Sequence, residues 1–212
     1  MKDNFDSAMQ RVVLVAIVVM MTINSVEAQQ MFLKPMVGGT LSTVVGGEYG
    51  GKTKMKAGLV AGAEFGYEIS GKYGITAGLL YSMQGTKYKK YVDYQKLEYL
   101  NIPVLFNYYI FPGFSIKTGP QLGILTSAKV ADWEVETLRR VDDYDVKSFC
   151  NSIDFSIPIG VSYEFRDFVI DARYNIGITH IGKDENLWHF DISARNSVFM
   201  LTLGYKIPLK DY

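Results

Sequence analysis

From Met55 to Ile69 the chain alternates with period two, and one phase carries no charge: Met55, Ala57, Leu59, Ala61, Ala63, Phe65, Tyr67 and Ile69. The other phase holds Lys56, Gly58, Val60, Gly62, Glu64, Gly66 and Glu68. Successive side chains of a strand point to opposite faces, so the segment predicts a strand with one apolar face and one small or charged face. Seven further segments repeat the pattern, with charge-free phases Leu33 to Leu41, Tyr73 to Met83, Leu100 to Ile110, Phe114 to Ile124, Ile153 to Phe165, Phe168 to Ile178 and Phe199 to Ile207. A soluble sheet turns such a face into its core; a membrane barrel turns it outward to lipid. A lysine or aspartate at the bilayer midplane costs about 2–4 kcal/mol, so an unbroken charge-free face is what hydrocarbon demands.

The opposite phase differs in kind. It holds the cations Lys34, Lys56, Lys117, Arg173 and Lys206, and the anions Glu64, Glu68, Asp154, Glu164 and Asp171. A narrow lumen must pair its charges, because an unpaired buried charge is costly. Glycines share this phase (Gly58, Gly62, Gly66, Gly78, Gly119, Gly123, Gly160, Gly177 and Gly204) and leave room for long ionic side chains. The solvated face of a soluble barrel would carry more Lys, Glu and Thr and fewer glycines. Arg173, Asp171, Glu164 and Lys117 fall on neighbouring strands. They read as a structural salt-bridge network plugging the bore, with a gate or proton path as the alternative, since eight strands enclose space for side chains or one small ligand.

The connections alternate in length. Ser70-Gly71-Lys72, Phe111-Pro112-Gly113 and Arg166-Asp167 are tight turns, whereas about Val45 to Lys54, Gly85 to Lys96, Ser127 to Cys150 and Thr179 to Ser197 are longer. Short turns on one side and long loops on the other mark a membrane barrel, with turns and termini in the periplasm and loops outside. Aromatics collect beside the turns: Tyr67, Tyr73, Tyr108, Phe114, Phe165, Phe168 and Tyr205. They read as a girdle at headgroup level. The expected fold is all-β: an eight-stranded antiparallel up-and-down transmembrane β-barrel.

Arg11 precedes the apolar run Val12 to Ile23, and Val26-Glu27-Ala28 follows. This predicts a signal peptide over residues 1–28, cleaved before Gln29, and a barrel domain over 29–212. The run is shorter than the roughly 20 residues of a spanning helix; an uncleaved anchor is the alternative. Asp3 and Asp6 are unusual in such a leader, and a start at Met9 gives a tidier one. Lys and Arg number 22, as do Asp and Glu, so nothing points to nucleic acid. Cys150 is the only cysteine, which rules out an internal disulfide. No zinc spacing, phosphate loop, nucleophile elbow or dinucleotide fingerprint is present, and no cofactor is expected.

The segments GLLYSMQGTKY (Gly78 to Tyr88), LEYLNIPVLFNYY (Leu97 to Tyr109), FSIKTGPQLGIL (Phe114 to Leu125), DFSIPIGVSYEF (Asp154 to Phe165) and DARYNIGIT (Asp171 to Thr179) resemble the PorT-like porin family of outer-membrane β-barrels common in Bacteroidetes. The resemblance covers essentially the whole mature chain. It implies an eight-stranded outer-membrane barrel in a family whose members mostly lack an assigned function. Two features depart from the family's pattern. Asn101 stands where members often have an acidic residue before Ile-Pro, and KIPLKDY follows Gly204-Tyr205 where members often stop. Either Tyr205 or Tyr212 then belongs to the signal read by the barrel assembly machinery.

The loops carry the remaining candidates. His180 and His189 lie near Asp184, Glu185, Asp191 and Ser193. A Ser/His/acid hydrolase acting on lipid is conceivable there, but no nucleophile turn frames a serine; a metal site would need further ligands. Trp133, Leu138 and Val141 form a possible contact patch in the third loop. Lys87, Lys89, Lys90 and Lys96 interleave with Tyr88, Tyr91 and Tyr94 in the second, where lysines can meet lipid A phosphates. The expectation is a non-enzymatic surface or structural protein of the outer membrane. Its lumen is plugged by side chains, and its partners are membrane lipid including lipopolysaccharide, the barrel assembly machinery and an unknown ligand at the outer loops. A narrow porin for ions or very small solutes, a barrel-borne lipid hydrolase and a soluble lipocalin-like carrier are the alternatives.

Overall fold

A computed structural model describes residues 30–46, 53–88, 94–131, 133–134, 139–140, 144–183 and 194–209. The expected signal peptide lies outside them. Eight long strands follow one another up and down: β1 (Gln30–Val45), β2 (Thr53–Ser70), β3 (Tyr73–Tyr88), β4 (Tyr94–Phe111), β5 (Phe114–Thr118 and Gln121–Ala131), β6 (Ile153–Phe165), β7 (Phe168–Gly177) and β8 (Arg195–Tyr205, resuming as Ile207–Leu209). Each pairs antiparallel with the next, and β8 returns to β1 in the register Met36 to Gly204 through Val45 to Arg195. Closure leaves no sheet edge, which a spanning sheet requires because hydrocarbon offers no hydrogen-bond partner.

The charge-free phase faces outward on every strand. Val37, Leu59, Leu79, Ile110, Ile159, Ile170 and Leu203 are each at least half exposed. Their opposite-phase neighbours Lys34, Glu64, Lys117, Asp171 and Arg173 are buried. The fold is thus inside out relative to a soluble protein. At the short-turn end, Pro112-Gly113 reverses the chain with Gly113 at φ 84°, and Arg166 takes φ 57° in the Arg166-Asp167 hairpin, the positive φ that tight hairpins use.

Two expectations need correction. The strands run past their charge-free bands: β3 continues to Tyr88, β4 begins at Tyr94 and β5 reaches Ala131. The ladder carries on beyond the apolar band, because backbone pairing does not depend on side-chain polarity, so the second connection is shorter than polarity suggests. Moreover, β5 is interrupted at Gly119-Pro120. Proline has no N–H for the ladder; its carbonyl still accepts from the Val104 amide at 2.9 Å.

Candidate functional site

The lumen is where the chain concentrates its charge. Midway along the bore, five buried side chains from four strands meet. Arg173 on β7 reaches across to Glu64 on β2 (2.5 Å) and back to Asp171 (2.5 Å). Lys117 on β5 bonds Asp171 at 2.5 Å, and Lys34 on β1 bonds Glu64 at 2.8 Å with Asp171 at 3.8 Å. Three cations face two carboxylates, so this layer carries a net charge of +1. Gly78 and Gly160 make room for it: a Cβ there would lie 2.7 Å from Glu64 Cγ and 2.8 Å from Arg173 Cγ.

A second layer lies toward the short turns. Lys206 Nζ donates to Glu68 at 2.8 Å and to Glu164 at 3.0 Å, and sits 4.9 Å above the ring of Phe32. Tyr109 also donates to Glu68. One cation against two carboxylates gives this layer a net charge of −1, opposite to its neighbour. Between the layers remains a cavity of about 20 Å³, the room of about one water molecule. The grouping read from sequence is therefore corrected at Glu164. It sits one inward-facing position nearer the turn than Ser162, so it meets Lys206 rather than Arg173.

Lys56 and Asp154 belong to neither layer. Lys56 donates to the Gln84 carbonyl at 2.9 Å, and Asp154 accepts from Thr179 (2.5 Å) and Asn196 (3.1 Å). Beside the ionic layer the bore is lined by neutral groups, Asn101 donating to Ser82 (2.7 Å) and Gln121 to Ser156 (3.1 Å). Met36, Val60, Leu80 and Met200 pack opposite. The outer mouth is closed by apolar residues: Val44, Leu97, Tyr99, Leu125, Ala128, Cys150, Ile181 and Ala194. Cys150, Ile181 and Ala194 come from the loop roots and are held there by Asn151 N–H to Ile181 O (2.8 Å) and Ile181 N–H to Ala194 O (2.9 Å). Burial pushes the Cys150 thiol up to about 11. Phe32, the Met36 cluster and this lid were not singled out from the sequence. Val60 and Leu80 were the available signal, being apolar residues on the polar phase.

The aromatic residues gather at the turn end. Tyr73 lies 5.5 Å from Tyr108, Phe114 stacks on Phe111 at 5.1 Å, and Phe168 meets Tyr205 edge-on at 5.3 Å. Phe165 lies under the Arg166 guanidinium, and Tyr67 is half-buried on the same outer face. In the loops, His180 Nε2 stands 3.4 Å from Arg195. His189, Asp184, Glu185, Asp191, Ser193, Lys89, Lys90, Tyr91, Leu138, Val141 and Tyr212 lie outside the described residues. Trp133 falls in a short hairpin with Arg140. Among the described residues, no group of His, Cys, Asp and Glu is placed to hold a metal ion.

Residues 36–182 match the outer membrane protein beta-barrel domain. The chain belongs to that family. It is an outer-membrane protein. A search of curated proteins finds no match. Among solved structures the barrel is similar to the attachment invasion locus protein Ail of Yersinia pestis, solved with the heparin analogue sucrose octasulfate (16% identity, covering 85% of this chain and 99% of that one, TM-score 0.48). It is similar also to Neisserial surface protein A (15%, 86% and 100%, TM-score 0.46) and to OprG of Pseudomonas aeruginosa (15%, 84% and 96%, TM-score 0.40).

Proposed function

We propose that this barrel is a closed, non-enzymatic anchor that displays its outer loops at the cell surface, where its binding takes place. The supporting observation is the bore. It is filled by a buried ionic layer in the middle and by an apolar lid at the outer mouth. A solute path would have to break Arg173–Glu64 and Lys117–Asp171 as well as part the lid. Purified mature protein in planar bilayers is expected to give no conductance steps. Steps that persist at neutral pH would favour the narrow-porin reading instead.

Within the family, the segments from Gly78 to Thr179 favour the PorT-like branch of Bacteroidetes, with insertion by the barrel assembly machinery. Among the described residues, the side chain beside His180 is the Arg195 guanidinium rather than a nucleophile, which speaks against catalysis there. His180→Ala and His189→Ala are expected to leave lipid A untouched, as the unmodified protein does. Acyl release by the unmodified protein, lost in either variant, would reverse that.

A further inference from the structure

Like charges directly opposite on paired strands repel, yet two such pairs stand side by side on the outer rim. Lys54 on β2 is opposite Lys87 on β3, and Lys96 on β4 is opposite Lys129 on β5. Lys87 pairs with Tyr94 while Lys96 pairs with Gly85, which makes Lys87 and Lys96 diagonal neighbours. The four lysines form one row across four adjacent strands. The register slip between Glu98 and Tyr99 leaves Thr126 as an extra residue in β5 and turns Lys129 outward, against the phase that Ile124 sets. Lys54, Lys87 and Lys129 are exposed and Lys96 is half-buried.

The row's height is fixed by the strands. Below Lys87 on the outer face of β3 come Met83 and Tyr81; below Lys96 on β4 come Glu98, Leu100 and Ile102. At about 3.3 Å per residue, the ammonium groups stand just above the charge-free band, at the depth of headgroup phosphates. Among the described residues, the carboxylates within the patch are Glu98, to which Tyr81 donates, and Asp145, opposite Lys129. Lys56 lies within Coulombic reach of Lys87 and Lys96. The patch is therefore net positive where the membrane offers phosphate.

We propose that this row binds the phosphates of a multiply phosphorylated lipid of the outer leaflet. The assignment rests on the surface-anchor reading for the row's orientation, but the bore's conductance does not bear on it. Each lysine near an anionic lipid surface contributes about fivefold in affinity. The test uses the mature barrel in phosphatidylcholine nanodiscs, titrated with bisphosphorylated lipid A and with its dephosphorylated form. Retention of the bisphosphorylated form is expected to fall about fivefold in Lys129→Gln and more than about fiftyfold in Lys54→Gln/Lys87→Gln/Lys96→Gln/Lys129→Gln. Lys129→Arg is expected to keep it, which separates charge from folding. Equal retention of both lipid forms, or an unchanged affinity in the folded quadruple variant, would overturn the proposal. Inorganic pyrophosphate binding as tightly to the barrel in micelles as the lipid does in nanodiscs would overturn the lipid assignment in favour of a soluble phosphate.

Discussion

The middle of the bore and its outer mouth are plugged in opposite ways. In the middle, Lys34, Glu64, Lys117, Asp171 and Arg173 fill the bore as paired opposite charges and leave little room for water. At the mouth, Leu97, Leu125, Cys150 and Ile181 exclude it by offering nothing to bond. The first plug is held by geometry and charge count, so removing one partner strands another. The second is held by apolar area, so removing one residue costs only its own contacts and the space it leaves. The largest effect is therefore expected in the middle. Asp171→Asn leaves three buried cations with Glu64 alone and is expected to lower unfolding free energy by about 3–5 kcal/mol, read from urea titration in vesicles. Arg173→Met leaves each carboxylate one lysine, Lys34 for Glu64 and Lys117 for Asp171, and is expected to cost less. If Arg173→Met costs more, charge count is not what holds the layer.

The lid should respond next. Leu97→Ala is expected to cost about 2–3 kcal/mol without opening the bore to ions, since the ionic layer stands beneath it. Conductance in that variant would mean the middle is not sealed. Gly160→Ala comes third: its Cβ would lie 2.6 Å from the Ala172 backbone oxygen and 2.8 Å from Arg173 Cγ, and overpacking of this kind costs about 1–3 kcal/mol. The smallest effect concerns reactivity rather than stability. With its thiol pushed up to about 11, Cys150 is expected to react with maleimide at neutral pH roughly a hundredfold more slowly in the folded barrel than in the unfolded chain. Equal rates would show that the lid does not cover it.

Which way each strand faces was legible in the sequence, because hydrocarbon judges every side chain separately: one charge on the wrong phase would have been visible. The charges on the inward phase were legible for the same reason, whereas the apolar lumen residues Phe32, Met36 and Met200 were not. Who pairs with whom was not. Pairing depends on register, and the register slips near Met55/Val60 and Glu98/Tyr99 leave no mark in composition. Sequence spacing thus groups Glu164 with Arg173 although it meets Lys206, and places Lys129 in the loop although it stands in the lysine row. Strand ends were hidden because polarity marks where the membrane stops, not where the ladder stops. The lid was hidden because Cys150 and Ile181 are brought together only by closure of the loop roots.

The account depends on the outer wall meeting hydrocarbon. A tryptophan placed at Ile159, in a background with Trp133 and Trp188 replaced by phenylalanine, reports on it directly. In vesicles of lipids brominated along the acyl chains, the Ile159→Trp variant is expected to be strongly quenched and blue-shifted, while soluble acrylamide leaves it unaffected. Quenching by acrylamide with none from the brominated chains would place that face in water and contradict the account.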